Sequence, residues 1–375
     1  MANKFLTMQS IARQALPILV DNLVFPNLIY QDYSQEFAGK GDTIQIKKPP
    51  VFQANDFDED NGVEVQDINT GKVSITLDKL ADVSVEVTSK QLALEAAEFR
   101  QQVTEPMAVA LAEKINREGL DLYQDIPYFS GTSGTTPGAL QDISNIRKGL
   151  NKRKVPMSNR QAVWDVDADA KFTTLDALVN VDKAGTPMAL REGSIGRVYG
   201  INNYYSQAVS VHEAGTATGA TDPKVNGAVT KGQNIINIDA TAMTGKLVKG
   251  DLLTIGTYQH VVTADTTEAS GNAIAAVNIY PSLQEDISDD TPITFIDKTA
   301  GAHVANIGFH KNAFAFVTRS LELPRDKEAY TVSYNGITLR VVYGYDMKFK
   351  KNMMSMDVLY GFKTIYAELA EIILG

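Results

Sequence analysis

The chain changes its period in the middle. From about Pro223 to Asp297, short alternating strands separated by Gly, Asn, Asp and Thr turns replace the mixed helix-and-strand pattern on either side. The runs Ile235 to Ile238, Leu252 to Ile255, His260 to Thr263, Val277 to Tyr280 and Ile293 to Ile296 give at least four strands, spaced as in a small β barrel or sandwich. The flanks, Ala189 to Val209 before and Asn312 to Pro324 after, look like two halves of one domain that resumes once the insert is complete. An insertion leaves and re-enters its host at neighbouring points, so residues 223–297 must bury their own apolar faces. A β domain planted inside another domain suits a protein selected for surfaces more than for a catalytic cleft.

The host has a different texture. Ile11, Ala15, Leu16, Leu19, Val20 and Leu23 recur at helical spacing, predicting a helix from Ser10, as cap, to Val24, with Pro17 as a kink and Pro26 as the stop. Such an arm can fold back on its own core or reach a neighbour. Alternation around Ile44 and Ile46, and again over Val73, Ile75 and Leu77, predicts a long hairpin, with a third strand at Val83, Val85 and Val87. Its connection holds two prolines, the acidic run Asp56 to Asp60 and the turn pair Asn61-Gly62. A link of that length is either a solvated loop or an arm that orders on a neighbouring subunit. A helix capped by Thr88 or Ser89 meets a second one opened by Pro106, forming one kinked helix or two stacked ones, with Met107, Leu111, Ile115 and Leu122 as its stripe. Beyond a loop at 130–138 the pattern predicts a helix at Ile143 to Lys152, a strand around Trp164 and a helix near Lys171 to Leu178. After the insert come strands at Gly336 to Tyr343 and Ser355 to Ile365, joined by the basic turn Lys348 to Asn352, and a buried run at Ala367 to Leu374.

Composition excludes several kinds of chemistry. The 375 residues contain no cysteine, which removes disulfides and thiolate sites, and no apolar stretch approaches membrane-spanning length. The N-terminus lacks the apolar core of a secretory signal. A formal charge of −10 argues against a chain that grips phosphates. The loop Ser130 to Gly138 lacks the Gly-Lys-Ser/Thr ending of a phosphate-binding loop, and no Gly-x-Ser-x-Gly elbow occurs. His212, His260, His303 and His310 show no metal-ligand spacing and read as surface or turn residues. The acidic residues at 56–60, and Glu285, Asp286, Asp289 and Asp290, read as solvated loops; a calcium site is conceivable, but neither run has an EF-hand ligand order. Trp164 reads as core. The expectation is a non-enzyme with no cofactor, catalytic residue or metal ligand.

Several segments in order carry a family resemblance. They are Tyr30 to Tyr33, Gly41 to Ile46, Glu105 to Ile115, Val155-Pro156 with Arg160 and the Trp164 strand, Arg191 to Gly200, Ala313 to Phe316, and Tyr345-Asp346 with Asp357 to Gly361. Over nearly the whole chain they resemble the major capsid proteins of tailed bacteriophages, which share the Hong Kong 97 fold, and most closely the coat-protein family of the short-tailed Salmonella phages with its inserted β domain. The resemblance implies an α+β chain divided into an N-terminal arm (1–38), an extended loop hairpin (39–80), a peripheral domain with a spine helix (81–128), an axial domain (129–222 and 298–324), the inserted β domain (223–297) and peripheral closing strands (325–375). It implies a homo-oligomer of hexamers and pentamers in an icosahedral shell. A separate scaffolding protein, a portal protein and loosely held double-stranded DNA are the implied partners, no membrane takes part, and assembly takes place in the bacterial host cytoplasm. Lys40, Lys47, Lys48, Asp56, Asp58, Glu59 and Asp60 are the expected subunit contacts. No Lys, Asn and Glu align to the cross-linking positions of some relatives, so no covalent cross-link is expected. The insert is compact and lacks the long charged loop that bridges capsomers in that family. The alternatives are an encapsulin-like nanocompartment, a β-rich surface-layer protein and, with no supporting residues, a soluble enzyme.

Overall fold

The computed structural model describes residues 7–31, 43–47, 72–86, 99–184, 188–298, 301–324, 328–334, 336–346 and 351–375. The chain divides into two compact units, one of Met1–Leu16, Gln31–Met107 and Phe316–Ile365, the other of Pro17–Tyr30, Ala108–Ala315 and Tyr366–Gly375.

The first unit is built on the fourteen-residue strand Lys351–Thr364. It pairs antiparallel with Lys79–Glu86 over Met353↔Glu86 to Tyr360↔Lys79, and with Ile337–Asp346 over Asp346↔Lys351 to Arg340↔Asp357. Glu328–Tyr334 extends the sheet beyond Ile337–Asp346, and Phe314–Arg319 joins its other side. Arg340 and Asp357 are register partners, and the guanidinium donates Nε to Oδ1 at 2.9 Å and Nη2 to Oδ2 at 2.6 Å. That two-pronged geometry fixes register as well as adding charge-assisted bonds. Phe316 packs on Phe362 with ring centroids 4.7 Å apart. The expected hairpin is present as Thr43–Lys47 against Lys72–Thr76, in register Thr43↔Thr76 to Lys47↔Lys72. Its connection, the cap at Thr88 or Ser89 and most of the basic turn after Asp346 lie outside the described residues.

In the second unit a seven-stranded sheet runs in the order Phe129–Gly131, Ala370–Leu374, Ala302–His310, Arg160–Trp164, Ile201–Tyr205, Arg197–Val198, with Val211–Glu213 beside the start of Ala302–His310. Helix Leu140–Lys152 turns Ile143, Ile146 and Leu150 into a core shared with Trp164, Phe172, Ile201 and Ile373. The i, i+3, i+7 spacing places those three side chains on one face. Asp142 Oδ2 accepts from the backbone amides of Gly138 and Ala139, both at 2.9 Å, satisfying amides just ahead of the helix. Trp164 is fully buried, as expected, and donates its indole N–H to Asn203 Oδ1 at 2.9 Å.

A second sheet in this unit runs Ile293–Phe295, Leu252–Ile255, Tyr258–Val262, Ala273–Tyr280, Ile235–Thr241, Thr221–Val225. Its two edges meet. Val225 N–H donates to Thr291 O at 2.9 Å and Asp290 N–H to Val225 O at 3.0 Å, so the sheet closes as a barrel. Closure leaves few unpaired strand edges. Its interior is aliphatic apart from Phe295 and Met243, and Val225, Ile236, Ile238, Leu253, Ile255 and Val262 are all buried. The five strands expected here are present, and Thr221–Val225 is an additional one, interrupted by the Pro223 that had marked the boundary.

Several details differ from expectation. The first helix is Met8–Asn22; Thr7, not Ser10, caps it, with the Thr7 hydroxyl accepting from Ser10 N–H at 3.3 Å. Pro17 lies inside this helix, and Pro26 sits in a further short one, Phe25–Leu28, because proline is tolerated in a first turn. Arg100–Thr104, a wide turn, runs straight into helix Glu105–Leu120, so this stretch is continuous. Leu122 is not buried: the chain tightens to a 3-10 turn at Asp121–Asp125, and Tyr123 takes the inward position. The helix expected from Lys171 begins earlier, as Val166–Thr173, with Asp165 as its cap; Asp176–Val179 follows as a separate turn. The arm folds back on its own chain. Phe25 packs edge-on to Phe309, and Asn116 Oδ1 receives the amides of Val24 and Phe25 at 3.0 and 3.3 Å.

Candidate functional site

The sequence placed subunit contacts on the hairpin. Lys40, Lys48, Asp56, Asp58, Glu59 and Asp60 lie outside the described residues, and of Lys47 only the backbone, at the end of its strand, is described. The chemistry that is visible lies elsewhere.

The main correction concerns the histidines. His212, His260, His303 and His310 are all buried, none more than 6% exposed. Each sits on an inward strand position or strand end, which composition could not show. His260 Nδ1 lies 2.9 Å from Pro281 O, and burial pushes its pKa down against that hydrogen bond. His310 pairs with Arg160 across two strands, and burial plus the Arg160 charge push its pKa down as well. Arg160 donates to Pro156 O and Val155 O at 2.8 and 2.6 Å.

The other two meet where the barrel joins the seven-stranded sheet. Val211–Glu213 enters the barrel and Ala302–His310 leaves it, and the two pair antiparallel with His212 opposite His303. Their ring centroids are 5.0 Å apart. His212 Nε2 lies 3.0 Å from Asp251 Oδ1, and His212 Nδ1 lies 3.0 Å from the Tyr123 hydroxyl. Asp251 also accepts from Gly215 N–H at 3.0 Å and Val248 N–H at 2.8 Å. His303 Nδ1 lies 2.9 Å from Asp297 Oδ2, and Asp297 also accepts from the Ser133 hydroxyl. Burial pushes the Asp297 carboxyl up, but the bond and charge of His303, with help from Ser133 and His212, outweigh it and hold the pKa below the ordinary value. Burial pushes the Tyr123 phenol up to about 12.

Two glycines make this packing possible. Gly250 has φ +99°, and a Cβ there would come within 2.9 Å of His212 Cε1. A Cβ at Gly215 would come within 2.5 Å of Lys246 O and 2.7 Å of Asp251 Oδ2. At the rim, Lys249 Nζ pairs with Asp125 at 3.0 Å, and the Gln259 amide bridges Phe129 O at 2.9 Å.

The residue types are those of a hydrolase, but the connections are not. In a serine triad the hydroxyl bonds to the imidazole and the carboxylate orients the far nitrogen. Here Ser133 bonds to Asp297, and His303 Nε2 is buried with no partner among the described residues. Among the described residues no group of three or more His, Asp or Glu is arranged to hold a metal ion. The arrangement can carry protons and fix two segments together. A groove of about 750 Å³ elsewhere in the unit is lined by Asp21, Glu113, Asp169 and Glu192 around Arg117 and contains no histidine. It is an acidic, open trough, and burial pushes the Asp169 carboxyl up.

No family model matches the chain, and no curated protein matches it. Solved structures do. A structure titled "Mycobacterium phage Che8" superposes with a TM-score of 0.51 at 15% identity, over 94% of this chain and 90% of that one. The capsid structure of the cyanophage P-SCSP1u superposes with a TM-score of 0.50 at 13% identity, over 94% of this chain and 88% of that one. At such identities the likeness speaks for the backbone arrangement. The chain therefore has a mixed α/β fold of the Hong Kong 97 type found in phage capsid subunits.

Proposed function

We propose that this chain is a major capsid protein that self-assembles into the icosahedral shell enclosing a phage genome. The observation that carries it is the match over 94% of the chain to a cyanophage capsid structure, which leaves little of the chain outside the shared fold. Large apolar side chains left exposed on the second unit, among them Met157, Leu190, Tyr205 and Val211, suit a subunit that buries them on assembly.

The finer reading adds the short-tailed Salmonella phage kinship, with residues 223–297 as its inserted domain. Hexamers and pentamers form around a separate scaffolding protein and a portal, in the host cytoplasm, and the shell holds DNA without gripping it. The arm, extended loop, spine helix, axial and peripheral parts keep the boundaries given above. In this reading Lys40, Lys47, Lys48 and the acidic run Asp56 to Asp60 meet opposite charges on neighbouring subunits. Each such pair contributes only about 0–1 kcal/mol, but a shell repeats it many times.

The test is electron microscopy of the chain expressed with and without its neighbouring phage genes. Closed shells are expected with a scaffold, and tubes or aberrant shells without one. A chain that stays monomeric at high concentration alongside its scaffold overturns the proposal. In the same assay Asp56→Asn, Asp58→Asn, Glu59→Gln and Asp60→Asn together should weaken shells to denaturant while leaving the subunit folded; unchanged shells would remove the loop from the contact set.

A further inference from the structure

The charge of this chain is unevenly spread. Between Asp142 and Asp165 lie six basic residues, Arg147, Lys148, Lys152, Arg153, Lys154 and Arg160, with no Asp or Glu among them, in a chain whose formal charge is −10. Lys148 and Lys152 are an i,i+4 pair of like charge on helix Leu140–Lys152, an arrangement that weakens a helix. Of the six, only Arg153 forms an ion pair among the described residues, with Glu371 at 2.9 Å. Arg160 is the member taken furthest from water: it is 3% exposed, and no carboxylate among the described residues pairs with it. We propose that Arg160, His310 and Arg147 form a binding site for a phosphate group. The proposal uses the geometry of one subunit and nothing from the shell reading.

Three elements bring these side chains together. Arg160 and His310 are register partners on antiparallel strands, so they leave the sheet on one face, with Cβ atoms about 4.5–5.5 Å apart. Gly308, on the same face, packs under helix Leu140–Lys152: a Cβ there would come within 2.5 Å of Ile146 Cγ2. Arg147, the next residue of that helix, is exposed, and its charge reaches Arg160. The donors are only partly used. Arg160 Nε donates to Pro156 O at 2.8 Å and Nη2 to Val155 O at 2.6 Å, and Nη1 has no acceptor among the described residues. His310 Nδ1 accepts from Asn312 N–H at 3.2 Å, so the neutral ring carries its hydrogen on Nε2. That N–H has no acceptor among the described residues either. Exposures of 3% for Arg160 and 6% for His310 leave both in contact with solvent through a narrow opening.

The energetics favour an anion here. A charge removed from water is costly unless it is paired. Burial, and then the charge of Arg147, pushes the Arg160 pKa down; burial, and then the charge of Arg160, does the same to His310. Among the described residues no carboxylate counters either effect. The two carbonyl oxygens hold the guanidinium in place but bring only partial charge. A phosphate would offset Arg160 and Arg147 together and accept hydrogen bonds from Nη1 and from His310 Nε2. It suits the site better than a carboxylate does, because its oxygens point in several directions and the donors come from two strands and a helix. Lys154 and Lys311, both exposed, add to the local positive charge.

The test is NMR of the full chain as unassembled subunits, with labelled histidine rings, titrated with inorganic phosphate against chloride at fixed pH and constant ionic strength. The ring signals of His310 should move and saturate with a Kd of about 1 mM or tighter, while those of His260 stay in place. Arg147→Gln alters an exposed side chain and leaves the core intact. It should weaken phosphate binding about tenfold, the loss expected for one charge-assisted bond. Lys231→Gln removes the same charge from an exposed barrel position and should change nothing. A short DNA duplex that moves the same His310 signals, less so in Arg147→Gln, identifies the ligand as a nucleic-acid phosphate; movement with inorganic phosphate alone identifies the free ion. Acetate at equal ionic strength should move nothing. A His310 signal that phosphate leaves in place, or moves without saturating by about 10 mM, overturns the site. Equal weakening by Arg147→Gln and Lys231→Gln overturns it too, as does an acetate response as large as that of phosphate. None of these outcomes bears on the shell reading, which electron microscopy decides separately.

Discussion

The barrel and the seven-stranded sheet lie in the same unit and are built on opposite plans. Every barrel strand comes from one stretch of about 75 residues, Thr221 to Phe295, and pairs with strands inside it. The sheet collects Phe129–Gly131, Arg160–Trp164, Ile201–Tyr205, Ala302–His310 and Ala370–Leu374, so its pairings span much of the chain. The barrel core draws only Ala217 and Ala220, just ahead of that stretch, from outside it, whereas the sheet needs Ala370–Leu374, more than two hundred residues beyond Arg160–Trp164. Loop-closure entropy must be met before distant pairings stabilise anything, so the barrel is expected to form early and the sheet late. A closed barrel sitting between the two halves of a late-forming sheet brings Val211–Glu213 and Ala302–His310 side by side, and so removes most of one long loop from the search.

The largest test of this contrast removes the end of the chain. Ala370–Leu374 lies between Phe129–Gly131 and Ala302–His310, and all five of its residues are buried. Losing Ile372, Ile373 and Leu374 at about 2–5 kcal/mol each approaches or exceeds the whole stability of an ordinary domain, about 5–15 kcal/mol. Deleting residues 370–375 should therefore abolish the cooperative transition of the sheet, while residues 215–298 expressed alone should give the dispersed amide spectrum of a folded β protein. A disordered spectrum from 215–298 would show that the barrel leans on its host and that the contrast is false.

A smaller perturbation should separate the two regions without destroying either. Leu253 is fully buried in the barrel and Ile146 is fully buried under the sheet. Either residue changed to Ala should cost about 2–5 kcal/mol. Leu253→Ala should lower the stability of the barrel, in the whole chain and in isolation alike. Ile146→Ala should leave barrel amides as protected as before. Equal loss of barrel protection in both variants, followed by hydrogen exchange, would mean that the two regions unfold as one.

The same contrast explains what was legible in the sequence. Barrel strands could be read from short-range alternation and turn residues because their partners are local. The family landmarks carried the order of the host elements. The buried histidines were not legible: His212 and His303 are 91 positions apart and become neighbours only through strand pairing, and their carboxylates lie at Asp251 and Asp297. A weak signal was present, since Val211-His-Glu and Ala302-His-Val place each histidine on a strand at the two ends of the insert. Asn116 was passed over for a similar reason, because it serves as a clamp only when the arm folds onto the helix. Leu122 misled because helical spacing was extended past the point where the helix tightens.

The smallest predicted effect compares the two remaining histidines. His260 belongs to the barrel and His310 to the sheet, and burial lowers the pKa of both from 6.5. Well above 6.5 each imidazole is neutral whether folded or unfolded, so pH changes nothing. As pH falls through 6.5 the unfolded chain takes up a proton that the folded chain refuses, and stability drops until the folded group titrates too. The slope for one group is at most about 1.4 kcal/mol per pH unit. In isolated 215–298, which contains His260 and neither joint histidine, denaturant midpoints should therefore decline from neutral to mildly acidic pH, and His260→Asn should flatten that decline. His310 sits beside the fixed charge of Arg160, which disfavours its imidazolium further, so Arg160→Gln should reduce the acid sensitivity of the sheet while leaving the barrel's own profile unchanged. A barrel profile that shifts with Arg160→Gln would show charge coupling through the joint, and the two regions would then have to be treated as one electrostatic body.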